Sequence, residues 1–262
     1  MSRSALLVVL AAVALAACGE GGGGKRAPGR MIVLGDSIAA CSNLPGEKGD
    51  ADCSSRQLGE YVKQTFAPGL VVENQAVGGA VTADVPARQL ATIAPGGAAG
   101  PLLVLVYVGG NDLAAHLLAS DAKATADLTA QLPAIRAAWD QVFAFFDDRA
   151  RFPDGYTLVM NNQYDPFDDC TAAPYFLSAA KIALLHTFNE TLAGIATGKA
   201  PRAQLVDQYT PFLGHGHHYD VSSCPHYQPG ATPFMGDLIH PNAAGHAELF
   251  AQWKAAVDTL YR

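Results

Sequence analysis

Met31-Ile32-Val33-Leu34-Gly35-Asp36-Ser37-Ile38 is an apolar run that stops abruptly at a glycine, a carboxylate and a hydroxyl. The run has the length and composition of a buried strand, and the residues after it belong to a turn at the strand's end. A strand ending this way lifts the Ser37 hydroxyl to the rim of a sheet. About two hundred residues later comes Asp237-Leu238-Ile239-His240. An Asp and a His three positions apart can share one side of a single turn, so the carboxylate can orient the imidazole. Ser37, His240 and Asp237 together supply a nucleophile, a base and an orienter for acyl transfer.

Four further strand candidates follow: Leu70–Glu73, Leu102–Val108, Tyr156–Asn161 and Gln204–Asp207, after a first over Arg30–Leu34. Four of the five are dense in Val, Leu, Ile or Met instead of alternating with polar residues, the pattern of strands buried on both faces in a parallel sheet. Helical patterns lie between them. Leu128, Leu132, Ile135, Trp139, Val142 and Phe146 form one apolar stripe, with Pro133 marking a start or a kink. A second helix is expected over Leu177–Ile195. A third runs over Pro241–Leu260, with Leu249, Trp253 and Val257 on one face and Pro241 in its first turn. Strand-helix alternation of this kind predicts an α/β fold, a three-layer α/β/α sandwich with right-handed crossovers around a five-stranded parallel sheet. Ligands of such folds bind beyond the carboxyl ends of the strands.

Two other segments belong at that rim. Asn74-Gln75-Ala76-Val77-Gly78-Gly79 follows the second strand, and Gly109-Gly110-Asn111-Asp112 follows the third. Glycine lets a backbone N–H approach an oxyanion closely, and an Asn side chain offers another donor from a different direction. Both segments also suit ordinary turns and helix caps. Gly-Asp-Ser, Asn-x-x-x-x-Gly, Gly-Gly-Asn-Asp and Asp-x-x-His-Pro, in this order from Gly35 to Pro241, resemble the motif blocks of the SGNH (GDSL) hydrolases. That resemblance implies a flavodoxin-like sheet, esterase-type activity and no cofactor. It implies Ser37, Asp237 and His240 as the catalytic residues, and an oxyanion hole from the Ser37 and Gly79 N–H groups and the Asn111 side chain. Asp36 reads as a turn-stabilising carboxylate. The α/β-hydrolases, another home for a catalytic serine, use Gly-x-Ser-x-Gly deep in the chain. Here Ala39 replaces the second glycine and the serine follows the first strand.

Ser2-Arg3-Ser4, the apolar run Ala5 to Ala17 and Leu15-Ala16-Ala17-Cys18-Gly19 resemble a bacterial lipoprotein signal. The run is short of the roughly 20 residues a membrane span needs. The expectation is a signal peptide over residues 1–17, lipidation of Cys18, a Gly-rich tether over 18–28 and one hydrolase domain over 29–262, exported and held at the envelope by its lipid. Four cysteines remain, an even number that suits disulfides in an oxidising compartment and allows three pairings. Cys41 with Cys53 closes a short loop, and Cys170 with Cys224 then ties two later loops. The net charge is −7 and no basic run follows Lys25-Arg26, which argues against nucleic acid and electrostatic membrane docking. A monomer is expected.

His215-Gly216-His217-His218, with Cys224 and His226 nearby, could share a cation. No helix orders these residues, so the expectation is no metal and a polar, disulfide-anchored loop over the site's mouth. Asn161 to Pro166 is expected to line the same crevice. Pro174-Tyr175-Phe176-Leu177 and Pro211-Phe212-Leu213 could form an apolar acyl pocket for a lipid-like ester, and the Tyr and His residues suit an O-acetylated glycan. The main expectation is a carboxylic-ester hydrolase. A carbohydrate O-acetylesterase or O-acyltransferase, and a binding lipoprotein without turnover, are the alternatives.

Overall fold

A computed structural model describes residues 26–96, 100–173, 175 and 177–262 of the 262-residue chain. The expected signal segment, Cys18 and most of the tether lie outside the described residues, as do Pro174 and Phe176. The elements are β1 (Arg30–Gly35), α1 (Ser37–Ala40), α2 (Ser54–Thr65), β2 (Val71–Asn74), β3 (Leu102–Tyr107), α3 (Gly110–Ala114), α4 (Asp121–Asp147), β4 (Tyr156–Asn161), α5 (Ala179–Gly198), β5 (Ala203–Val206), α6 (Tyr209–Phe212) and α7 (Ala243–Tyr261).

The five strands form one sheet in the order β2-β1-β3-β4-β5, with every pair parallel. The chain leaves β1 for β2 on one side and then crosses to β3 on the other. That switch point opens a crevice between the carboxyl ends of β1 and β3. Alternate side chains of the central strands feed two separate cores. Ile32, Leu34, Val104, Val106, Leu158 and Met160 pack against Trp139, Phe143, Phe146, Phe188 and Leu192 of α4 and α5. Met31, Val33, Leu103, Leu105, Tyr107 and Val159 pack against Leu58, Val62, Leu249, Trp253 and Val257 of α2 and α7. The unbroken hydrophobicity of β1, β3 and β4 thus reflects helices on both faces, as expected for a three-layer sandwich.

Several expectations change in detail. β2 reads as a doubly buried strand but is an edge, with Val71 and Val72 49% and 40% exposed. α2 comes from a segment with no helix expected. Pro133 does not start α4, which begins at Asp121 behind the Ser120 cap and runs through the proline. Pro241 is not in the first turn of α7. Asn242 caps that helix by accepting from Gly245 N–H, while Pro241 forms a β-bridge with Met235. The asparagine outcompetes because its side chain satisfies an otherwise unpaired helical N–H. Both disulfides form, Cys41–Cys53 and Cys170–Cys224.

Phe188 is fully buried in the α4/α5 core. We expect Phe188→Ala to cost about 3–5 kcal/mol in urea unfolding with little change in slope; a cost below 1 kcal/mol would contradict this packing.

Candidate active site

Gly35 ends β1 with φ 131°, and a Cβ there would sit 1.8 Å from the Tyr107 carbonyl oxygen. Only glycine lets the two strand ends approach so closely. Gln89 clamps the same residue on both sides, accepting from Gly35 N–H at 2.8 Å and donating to its carbonyl at 2.7 Å. Asp36 N–H donates to the Tyr107 carbonyl at 2.9 Å, and the Asp36 carboxylate accepts from Ile38 N–H at 3.0 Å, starting α1. Ser37 is the first residue of that helix and is largely buried.

The far end of the chain meets it there. His240 Nε2 lies 2.9 Å from Ser37 Oγ, and His240 Nδ1 lies 2.8 and 3.0 Å from the two Asp237 oxygens. Asp237 also accepts from the backbone N–H groups of Ile239 at 2.9 Å and His240 at 2.8 Å. Partial burial alone would raise the Asp237 carboxyl, but those two N–H groups and the imidazole hold it below its ordinary range. An anionic Asp237 selects the tautomer with hydrogen on Nδ1, leaving Nε2 to accept from the serine hydroxyl. This arrangement can remove a proton from Ser37 and return it.

Asn111, early in α3, borders the same cleft as Ser37 and His240. One of its amide hydrogens goes to the Ala80 carbonyl at 2.9 Å, which orients the side chain and leaves the second hydrogen free for a ligand. Asp112 beside it is buried and accepts from Thr82 N–H and Oγ1–H at 2.8 and 2.9 Å, tying this loop to the one after β2. Gly79 lies in that second loop at φ 79°, adjacent to the residue Asn111 bonds, but does not itself border the cleft. Ser37, Asn111, Asp237 and His240 are therefore brought together, with Gly79 one residue further out.

The cleft has a volume of about 830 Å³, including space open to solvent. Its walls are chiefly Leu113, Leu117, Phe167, Leu177, Leu184 and Leu185. Leu177 is where expected. Pro211, Phe212 and Leu213 are not in the wall: Phe212 is fully buried, stacked on Tyr164 with ring centroids 4.5 Å apart. Of the run Asn161 to Pro166, Gln163 to Pro166 line it, whereas Asn161 and Asn162 do not: Asn161 is buried and accepts from the Trp253 ring N–H.

The histidine loop wraps a buried carboxylate. Asp168 accepts from the N–H groups of Gly214, Gly216 and His218 at 2.8–2.9 Å. The imidazoles turn to separate partners: His215 to the Thr232 carbonyl, His217 to the Leu238 carbonyl, His218 to the Phe167 and Ala172 carbonyls, His226 to Asp169. Among the described residues Cys170, His218 and Cys224 bring ligand-type atoms within 4.8 Å, but their two sulfurs are joined in the disulfide. The loop instead braces the Asp237–His240 segment through His217.

Other residues also shape the site: Tyr164 as a donor to the Ile239 carbonyl at 2.5 Å, and Gln89, Asn43 and His246, which the sequence leaves unmarked. Gln163 and Tyr164 fall inside the run expected at the rim. The others sit in unremarkable contexts and carry no spacing signal.

Burial, reinforced by the nearby Asp112 carboxylate, pushes the Asp36 carboxyl up to about 7 despite the N–H groups it accepts from. Burial likewise pushes Asp165 up to about 7. A carboxyl raised from 3.8 stabilises the fold fully below pH 4, and that contribution is lost as pH rises toward 7, on the order of 4 kcal/mol for Asp36. We expect Tm to fall between pH 5 and pH 8, and Asp36→Asn to reduce that fall by about half because Asp165 remains. An unchanged pH dependence in Asp36→Asn would refute the assignment.

Comparison with known proteins follows the same lines. The profile of the GDSL-like lipase/acylhydrolase family matches residues 33–248. Among solved structures, an extracellular lipase from Streptomyces rimosus is similar at TM-score 0.58 and 20% identity, covering 88% of this chain and 99% of that one. Phospholipase A1 from Streptomyces albidoflavus NA297 gives 0.56 and 19%, covering 89% and 100%. An acetylxylan esterase from Geobacillus stearothermophilus gives 0.57 and 15%, covering 88% and 96%. No curated protein matches the sequence. At these identities the structural likeness speaks for the fold, and the profile, spanning most of the chain from within β1 to within α7, speaks for descent: the chain belongs to the GDSL-like lipase/acylhydrolase family.

Proposed function

We propose that this protein hydrolyses carboxylic esters through a Ser37-His240-Asp237 triad and an acyl-enzyme. The observation that carries the reading is the continuous hydrogen-bonded line from Asp237 through His240 to Ser37, with links of 2.8 and 2.9 Å. His240 Nε2 takes the Ser37 proton as the hydroxyl attacks the carbonyl, then returns it to the leaving alcohol. Water repeats the sequence on the acyl-enzyme. Asp237 holds the Nδ1–H tautomer and favours the imidazolium that forms. Ser37 N–H, at a helix start, and the second Asn111 amide hydrogen are the donors at the cleft for the developing oxyanion, and Gly79 N–H joins them only if its loop moves inward by about one residue.

The leucine-lined cleft favours an acyl chain over a bare acetyl group, so the substrate class is a short-to-medium-chain acyl ester of esterase or lipase type. Each buried methylene contributes about 0.8 kcal/mol, close to fourfold in kcat/KM while the chain stays within the walls.

The proposal extends to the N-terminus, with Cys18 as the lipidated first residue of an exported protein. Seven residues lie between Cys18 and Arg26, and the span reaches at most about 28 Å when extended. They lead to the start of β1, whereas Ser37 lies past its other end. Such an anchor draws the amino-terminal end of β1 at Arg30, not the cleft, toward the bilayer.

On p-nitrophenyl esters we expect Ser37→Ala and His240→Ala to lose at least about 10³-fold in kcat, and Asn111→Ala about 10²–10³-fold with KM little changed. Wild-type turnover by Ser37→Ala would refute the triad. In the wild type, hexanoate should exceed acetate by more than tenfold in kcat/KM, and a preference for acetate, or for acetylated xylan, would favour the deacetylase reading. An alkynyl palmitate label should enter the wild type and not Cys18→Ala; an unlabelled wild type would refute the anchor.

A further inference from the structure

Three successive carbonyls around the catalytic imidazole are each held by a different part of the chain. Ile239 O accepts from the Tyr164 hydroxyl at 2.5 Å. His240 O accepts from Gly236 N–H at 2.8 Å. Pro241 O accepts from the Asn43 side-chain amide. The first two come from β4's end and from the loop itself. The third comes from the nucleophile's own segment, because Asn43 lies just beyond α1 and the Ser42 N–H bonds the Ser37 carbonyl at 2.9 Å. Asn43 is thus a direct tie between the strand end that carries Ser37 and the loop that carries His240.

Behind Asn43 stands a line of buried groups. Asn43 Oδ1 lies 3.3 Å from His246 Nε2, and His246 Nδ1 lies 3.0 Å from Ser54 Oγ. His246 and Ser54 are fully buried, and the Cys41–Cys53 disulfide packs beside them, with Cys41 Sγ 3.9 Å from His246 Nδ1. Burial, with His240 nearby, pushes His246 down to about 4, so it is neutral at working pH. A neutral ring has one N–H, and one arrangement satisfies every atom: Ser54 O–H to Nδ1, Nε2–H to Asn43 Oδ1, Asn43 N–H to Pro241 O. Flipped, the asparagine would lose its bond to the Pro241 carbonyl and set two oxygens against each other.

We infer that Asn43 and His246 form a positioning clasp that sets the separation of His240 and Ser37, a role outside the triad and the oxyanion donors. The clasp rests on the triad reading given above. It acts on the proton-transfer step, because the bond it governs is the one along which the Ser37 proton moves. It touches no part of the cleft wall, so substrate binding is left alone.

The test compares wild type with Asn43→Asp, which keeps the acceptor for His246 but has no N–H for Pro241 O, and with His246→Leu and His246→Gln. On a p-nitrophenyl butyrate substrate, Asn43→Asp and His246→Leu should lose on the order of 10–100-fold in kcat with KM within about twofold. His246→Gln, which retains a donor and an acceptor, should recover part of that loss. The far-downfield imidazole N–H proton resonance of His240, present in wild type, should broaden or vanish in Asn43→Asp while the far-UV circular dichroism is unchanged. Wild-type kcat in Asn43→Asp with only a lowered Tm would overturn the clasp and make Asn43 a stabilising residue alone. Should His246→Leu not fold, Asn43→Asp, on a near-surface loop, still decides. If the wild type itself shows no turnover, it is the triad reading that fails.

Discussion

A hydrogen bond of 2.9 Å joins two side chains 203 positions apart in the chain. Bringing ends that distant together costs on the order of 5 kcal/mol of loop-closure entropy, while one hydrogen bond returns about 1 kcal/mol. The bond therefore cannot assemble the site. The sheet does so: β1 lies inside it, between β2 and β3, with α7 packed on its face, so the start of the domain and its last helix are neighbours whatever the side chains at the rim. The burial of Trp253, Leu249 and Val257 against Met31, Val33 and Leu105 supplies the energy, at about 1.5–3 kcal/mol for each large side chain. The Ser37–His240–Asp237 geometry is a by-product of that packing, refined by local bonds.

The refinements share a logic. Each rim loop is tied to its neighbour by a polar side chain, buried at Gln89 to Gly35, Asp112 to Thr82 and Asp168 to the histidine loop, and half-buried at Asn111 to Ala80 and Asn43 to Pro241. Burying carboxyls at the rim is costly, as desolvation raising Asp112, and Asp36 and Asp165 beside these ties, shows. They hold loops where no apolar contact could, because the loops must leave room for a ligand. Stability is lost at the rim and regained in the two cores.

Legibility in the sequence follows the same division. The strands β1, β3 and β4 are readable because helices on both faces make most positions apolar, and the Ser37 and His240 turns because short motifs carry them. β2 misled because edge and central strands draw on the same β-branched residues, and only pairing tells them apart. The start of α4 was hidden by Pro133, whose missing N–H a long helix tolerates when packing supports it. Asn242 displaced Pro241 at the start of α7 because capping, not proline's φ, decided the boundary. Gln89, Asn43 and His246 were invisible, since their partners are backbone atoms and side chains far off in sequence, and nothing local announces a long-range bond. Phe212 looked like a pocket residue only because an apolar side chain in a loop suits a wall and a core equally well.

The central claim is that Ser37 is activated by His240. Treating the folded protein with a fluorophosphonate and mapping the adduct by peptide mass spectrometry tests it most directly. A stoichiometric adduct is expected on Ser37 in the wild type and a far slower one in His240→Ala. An adduct on another residue, or equal labelling of Ser37 without the imidazole, would contradict it.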